Sequence, residues 1–111
     1  MKNTNKKGQI RQGDVYLMPI NATEIPASAT VRKRDNGRVV LAYGEVTGHA
    51  HALTAPGVEL LEANGVEFLK VDEVSAALLH EEHNRIDIPQ GTYRIVHQRE
   101  YSPEAIRNVA D

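Results

Sequence analysis

The sequence predicts an all-β domain, or a mainly β domain with one or two short helices, built from hairpins as a small barrel or sandwich. Short runs of β-branched and other apolar residues follow one another closely, and Gly, Pro and Asn separate them. No long segment repeats its apolar residues with the period of a helix. The 111 residues are the size of one domain. We expect residues 1–10 to be a flexible basic tail and residues 11–111 to be a single β-rich domain.

The first half of the chain is expected to form strands joined by tight turns. Residues 15–20 are the first predicted strand, and Pro19 indicates a sheet edge or the strand's end because proline donates no backbone hydrogen bond. Asp35-Asn36-Gly37 predicts a hairpin turn, since Asn and Gly tolerate positive φ. Its arms and three further strands are expected over residues 31–34, 38–43, 49–53, 58–61 and 66–71. Asn64-Gly65 predicts a further turn.

The second half contains one ambiguous segment and one predicted hairpin. Residues 72–84 fit either a helix capped by Asp72 or a strand that ends near His80. The Pro89-Gln90-Gly91 segment predicts a turn between strands at residues 85–88 and 92–98. A short helical turn is expected after residue 102.

Composition narrows the classes of function. The sequence has no cysteine, which excludes disulfides, thiolate metal sites and a cysteine nucleophile. Its 13 basic and 15 acidic residues give a net charge of −2, so nothing drives it electrostatically toward long nucleic acids. No apolar run is long enough for a membrane helix. We therefore expect a cytoplasmic protein without a membrane partner.

Histidines are the residues most suited to chemistry here. They occur as His49-x-His51, as His80-x-x-His83 and as the single His97. Alternate residues of a strand point to the same face, so His49 and His51 are expected to project together. Imidazoles suit transition metals and also proton transfer near neutral pH, and the spacing alone does not choose between these uses.

The leading hypothesis is a metal-independent phosphodiesterase or ribonuclease acting on a short RNA or a small, even cyclic, oligonucleotide. In this hypothesis histidines are the general acid and base and require no cofactor. The candidate catalytic residues are His49, His51, His80 and His83. The candidate residues for holding the anionic substrate are Arg94, Arg99, Tyr101, Thr47 and Gly48.

Two alternatives stay open beside it. A metal-binding β domain would hold zinc, iron or manganese for hydrolysis, oxidation or sensing. Its candidate ligands are His49, His51, His83 and His97. The second alternative is a non-catalytic interaction module. A homodimer is compatible with any of the three.

Two resemblances are carried by these motifs. The series Gly-Glu-Val-Thr-Gly-His-Ala-His at residues 44–51, His-Glu-Glu-His at residues 80–83 and Gln-Arg-Glu-Tyr at residues 98–101 resembles a group of small uncharacterised bacterial, plasmid and phage proteins. This mobile-element setting is one in which nucleotide substrates are plausible. Residues 44–51 and Pro89-x-Gly91 also resemble the two cupin motifs. Here the cupin carboxylate is replaced by the distant Glu59, and the last histidine, expected near Arg94, lies at His97 instead.

Overall fold

The structure is a computed structural model and describes residues 8–44 and 48–98. The predicted all-β class is confirmed, because strands account for 66% of the described residues and helical turns for 6%. All the strands lie in one antiparallel sheet that is not closed into a barrel. They are β1 (Ile10–Gln12), β2 (Val15–Ile20), β3 (Thr30–Val31), β4 (Val39–Tyr43), β5 (Ala50–Leu53), β6 (Val58–Ala63), β7 (Val66–His80) and β8 (His83–His97). A 3-10 turn, Ala22–Glu24, follows β2. Within the described ranges, no helix has the length and apolar character needed to cross a membrane.

The long hairpin of β7 and β8 is the centre of the sheet. Its two strands pair along most of their length, but Val71 pairs with Gly91 and the next pair is Ser75 with Pro89. Three residues of β7 therefore stand opposite one residue of β8, and such a bulge bends a hairpin. Before the bend β7 pairs with β6, and after it β7 meets β5, while the second half of β8 pairs with β2.

The long hairpin overturns two of the expectations. The predicted turn at Pro89-Gln90-Gly91 is wrong, because residues 83–97 form one continuous strand. Proline is tolerated here because the ladder is already interrupted by the bulge of β7. The helical alternative for residues 72–84 is also wrong, since β7 continues to His80 and the chain then reverses into β8. The helical turn expected after residue 102 lies outside the described residues.

The Asn-Gly turns form as the sequence predicts. Asn36 and Asn64 both have φ of 54°, and the glycine after each has φ of 81°, as two-residue hairpin turns require. Asn64-Gly65 joins β6 to β7. The arms of the first turn separate after a single bridge, however, and β3 pairs with β6 rather than with β4. Pro19 lies beyond the part of β2 that β1 covers, and is exposed there.

The hydrophobic core is enclosed by the curved sheet, and six of the eight strands contribute to it. Burying one such aliphatic side chain stabilises the fold by about 1.5–3 kcal/mol. The core residues are Val15, Leu17, Val39, Leu41, Leu53, Val58, Leu60, Leu69, Val71, Ala76, Leu78, Ile88, Tyr93 and Ile95. The curvature of the sheet brings β5 and the β1–β2 turn to the tip of the long hairpin, where His51, His80 and His83 lie.

Candidate metal centre

The tip of the long hairpin gathers histidines from three strands. His80 ends β7 and His83 begins β8, and the two are paired across a two-residue turn. The centroids of their rings are 4.7 Å apart. β5 crosses beside this tip and places the ring of His51 4.3 Å from that of His80. Neither the helical nor the single-strand interpretation of this segment gives this geometry, because the turn makes the two residues direct neighbours.

These three residues form what we call the histidine triad: His51, His80 and His83. Each offers one ring nitrogen, and the three nitrogens lie within 4.8 Å of one another. His51 is buried, His80 is half-buried and His83 is exposed. The triad therefore has one buried side and one side that is open to solvent.

A buried amide fixes the ring of His51. The side-chain nitrogen of Gln12 donates to the backbone oxygens of Leu78 and Asn84, at 3.0 and 2.9 Å. Those carbonyls can only accept, so they set the orientation of the amide. Its oxygen then faces Nδ1 of His51 at 2.8 Å and must accept a hydrogen bond from Nδ1–H. The lone pair of the neutral His51 ring is consequently on Nε2.

The ring of His80 has the opposite arrangement. The backbone N–H of Glu82 donates to Nδ1 of His80 at 3.0 Å, which places the proton of the neutral ring on Nε2. To bind a metal ion, His80 must give up either this hydrogen bond or that proton. Because Glu82 lies in the exposed turn, the bond can be exchanged without disturbing the core.

His49 lies at the edge of the histidine triad. Its Nδ1 is 2.8 Å from a carboxylate oxygen of Glu82, and its ring meets the ring of His80 edge-on with centroids 6.2 Å apart. The neighbouring carboxylate of Glu81 accepts the backbone N–H of Ala50 at 3.0 Å. Backbone N–H groups, its own first and then that of Ala50, lower the pKa of Glu81. The His49–Glu82 and Ala50–Glu81 contacts tie the start of β5 to the turn between β7 and β8.

The electrostatic environment keeps His51 neutral. Burial, followed by the nearby ring of His80, lowers its pKa to about 4. The carboxylate of Asp14 lies 3.7 Å from Nε2 of His51, and the turn between β7 and β8 carries Glu81 and Glu82. A neutral imidazole beside carboxylates is suited to holding a cation rather than an anion.

The turn between β1 and β2 packs directly on the triad. Gly13 has φ of 59°, and a Cβ atom at this position would lie 2.8 Å from Nε2 of His83 and 3.1 Å from Cε1 of His51. The next residue, Asp14, places a carboxylate oxygen 3.7 Å from Nε2 of His51. This turn thus contacts the triad at three successive residues: the amide of Gln12, the backbone of Gly13 and the carboxylate of Asp14.

The other predicted site residues do not join the triad in the described structure. Nε2 of His97 donates to the backbone oxygen of Leu41 at 3.1 Å. Arg94 lies beside a shallow pocket bounded by residues 65–67 and 94–97, and none of the clustered histidines lines that pocket. Gly48 is described as an exposed turn residue with positive φ. Thr47, Arg99 and Tyr101 lie outside the described residues.

Sequence reasoning missed Gln12, Gly13 and Asp14 as parts of this site. They precede the first strand that the sequence predicts, at residues 15–20, and carry no spacing that relates them to the histidines. A Gly-Asp pair before a strand is an ordinary turn signal. Only the curvature of the sheet, which is a tertiary feature, brings the turn to residues 39 and 70 positions away. The spacing of His80 and His83 is a local signal of the site, because a two-residue turn at Glu81-Glu82 makes the two histidines neighbours.

Fold and site together define a small antiparallel β domain with a histidine triad at the tip of its longest hairpin. The chain belongs to the family described as Domain of unknown function (DUF8820), whose model matches residues 11–98. At the level of a family, this confirms the resemblance to an uncharacterised group of small proteins. Neither a curated protein nor a solved structure is significantly similar to the chain.

Proposed function

We propose that the protein is a metal-binding domain that holds a divalent transition-metal ion through His51, His80 and His83. The observation that carries this proposal is the convergence of three ring nitrogens within 4.8 Å. In a tetrahedral zinc site with bonds of about 2.0–2.1 Å, ligand nitrogens are about 3.4 Å apart. Rotation of the two hairpin histidines, with exchange of the hydrogen bond that His80 accepts from Glu82, would close that difference.

The contacts around His51 support the proposal independently. Histidines that bind metal almost always donate their second ring nitrogen to a fixed acceptor, which orients the other nitrogen toward the ion. Gln12 provides this acceptor, and the amide is itself held by two backbone carbonyls. Burying a glutamine is costly unless its polar atoms are hydrogen-bonded, and here both the amide nitrogen and the amide oxygen have partners. The arrangement of this glutamine suits a ring that presents Nε2 to a metal ion.

Zinc is the ion that we expect first, with iron and manganese as alternatives. Three histidines with room for a further ligand are a known zinc set, and imidazole also suits iron. Such an ion would acidify a bound water molecule, which is the chemistry used in metal-dependent hydrolysis. The ligand set differs from the one predicted for the metal-binding alternative, because it includes His80 and omits His49 and His97.

The metal-independent phosphodiesterase is a second candidate function, and one observation favours it. At Nε2 the neutral His51 ring is an acceptor, whereas the neutral His80 ring is a donor. A hydrogen-bond acceptor beside a hydrogen-bond donor is an arrangement that general acid–base catalysis uses. A pKa of about 4 makes His51 a weak base at neutral pH, and this argues for the metal ion instead.

Metal titration of the purified protein tests the proposal. After removal of bound metal with a chelator, Zn²⁺ binding is measured by calorimetry, and metal content is measured on untreated protein. We expect one equivalent per chain. His83→Ala and His80→Ala should each weaken binding by at least about tenfold, since even partners outside the ligand set are worth 10- to 100-fold. Both residues lie away from the core, so these variants should fold.

His49→Ala and His97→Ala are the matched controls, because both remove an imidazole that lies outside the triad. They should bind Zn²⁺ like the parent protein. A parent protein that takes up none of Zn²⁺, Mn²⁺ and Fe²⁺ would overturn the proposal. Cleavage of RNA that survives exhaustive chelation and leaves 2′,3′-cyclic phosphate ends would establish the phosphodiesterase in its place.

A further inference from the structure

We infer that Asp14 supplies the fourth protein ligand of the metal ion, an inference that rests on the metal centre proposed above. The β1–β2 turn would then complete the site. The site would draw its ligands from β5, from both strands of the long hairpin and from this turn.

Nε2 of His51 and the carboxylate of Asp14 lie close together without a hydrogen bond between them. The amide oxygen of Gln12 accepts the hydrogen bond of Nδ1–H of His51, so Nε2 of the neutral ring carries a lone pair. The carboxylate of Asp14 lies next to this nitrogen. A carboxylate and a lone pair are both acceptors, and they repel each other at short range. A cation between them satisfies both.

The distance fits two ligands of one ion better than it fits a hydrogen bond. The Asp14 oxygen and the His51 nitrogen are 3.7 Å apart. Hydrogen bonds between such atoms end at about 3.2 Å. Ligands bound to zinc at about 2.0–2.2 Å in tetrahedral geometry are about 3.4 Å apart. The observed pair therefore needs only a small contraction to bind one ion.

The backbone of Asp14 is held in position for this role. Its carbonyl oxygen accepts the backbone N–H of Gln98 at 2.7 Å, which fastens the turn to the end of β8. The preceding Gly13 allows the turn to approach His83, because it has no Cβ atom to collide with the ring. About half of the Asp14 side chain is exposed, at 53%, so it can rotate toward an ion.

The other carboxylates at this site already have described partners. Glu82 is bonded to His49, and Glu81 is bonded to the backbone of Ala50. Recruiting either of them would break a contact that holds β5 to the hairpin tip. Asp14 can bind an ion without such a loss.

The test compares Asp14→Asn and Asp14→Ala with two carboxylate controls. Glu82→Gln removes a charge that lies beside His49 rather than His51. Asp87→Asn removes an exposed charge that is paired with Arg85. Zn²⁺ affinity is measured by competition with a chromophoric chelator. The visible spectrum of the Co²⁺-loaded protein reports the coordination geometry. Thermal unfolding of the metal-free proteins verifies that all variants fold.

We expect both Asp14 variants to bind Zn²⁺ at least about tenfold more weakly and to change the Co²⁺ spectrum, because water replaces the carboxylate. The Glu82 and Asp87 variants should retain the parent spectrum. Asp14 variants with parent affinity and spectrum would overturn this inference and leave the three-histidine centre standing. A spectral change confined to Glu82→Gln would also overturn it. A parent protein that binds no metal would remove the proposed function and this inference together.

Discussion

The side-chain oxygen of Gln12 lies 2.8 Å from Nδ1 of His51, although 39 residues separate them in the sequence. Gln12 is only 3% exposed, and its nitrogen bonds two backbone carbonyls of the long hairpin. One side chain therefore links β1, β5 and the hairpin, and it also fixes which nitrogen of His51 faces the triad.

Replacing this amide should weaken both the fold and the metal centre. Gln12→Leu keeps most of the volume but leaves two carbonyls and one ring N–H without partners. We expect the free energy of unfolding to fall by about 1–3 kcal/mol or more. Zn²⁺ affinity should fall by about 10- to 100-fold, because His51 loses its orientation. Chemical denaturation and Zn²⁺ titration measure the two effects.

The control for this variant is Gln90→Leu. Gln90 is exposed and bonds Asp72 at 3.3 Å, away from the triad. This change should leave Zn²⁺ affinity as it is. Equal Zn²⁺ affinities for parent and Gln12→Leu would show that Gln12 does not orient the ligand.

Acid should destabilise the metal-free protein through His51. Its pKa is about 4 in the folded state and about 6.5 when unfolded, so below pH 6.5 the unfolded chain binds the extra proton. The stabilisation is complete above pH 6.5 and is lost as the pH falls toward 4. Linkage gives a loss of about 2–3 kcal/mol by pH 4.5. Urea denaturation at a series of pH values measures this loss.

His51→Gln provides the comparison for the acid effect, since glutamine cannot titrate. This variant starts less stable but should show a shallower decline between pH 6.5 and 4.5. If both proteins decline in parallel, His51 does not keep its low pKa in solution.

Local sequence rules predicted those parts of the fold that depend on one turn. Asn64-Gly65 adopts positive φ and joins two strands, because no other part of the molecule is needed to make that turn. The Pro89-Gln90-Gly91 segment has an equally strong turn signal but lies inside β8. There the three-residue bulge in β7 decides the outcome, and that bulge is a property of the partner strand.

The same distinction applies to the site. His80 and His83 are close together because of their spacing, and the sequence identifies them as candidates. The contribution of Gln12 depends on the curvature of the whole sheet, and no local pattern reveals it. Burial of an amide is decided by what covers it, so the sequence around residue 12 does not predict that it becomes buried.

Alkali should destabilise the protein through Tyr93. This side chain is only 4% exposed, its hydroxyl donates to the backbone oxygen of Pro89 at 2.7 Å, and burial raises its pKa. Because the folded pKa is the higher one, stability is complete below about pH 10 and is lost as the pH rises above it. Tyr93→Phe should cost about 1 kcal/mol at pH 7 and decline less in alkali.

Tyr43→Phe is the control for alkaline unfolding. The Tyr43 hydroxyl is bonded to Asp35 at the surface, which also raises its pKa, but solvent screens this contact. Its removal should change the alkaline profile less than the removal of the Tyr93 hydroxyl. A steeper effect at Tyr43 would mean that burial is not the main cause of the alkaline loss.

A methyl group at Gly13 should damage the metal centre more than the fold. Gly13→Ala adds a Cβ atom 2.8 Å from Nε2 of His83, the far end of an exposed side chain that can rotate away. It also places alanine at φ of 59°, which costs about 1–2 kcal/mol.

Gly65→Ala is the control. It carries the same kind of backbone cost at φ of 81°, with nothing within 4 Å of the new atom. The two variants should therefore lose similar stability when metal-free, measured by thermal unfolding. Only Gly13→Ala should lose Zn²⁺ affinity, by about tenfold or more, because His83 is displaced from the triad. Equal Zn²⁺ affinities for the two variants would show that His83 binds no metal in the position seen here.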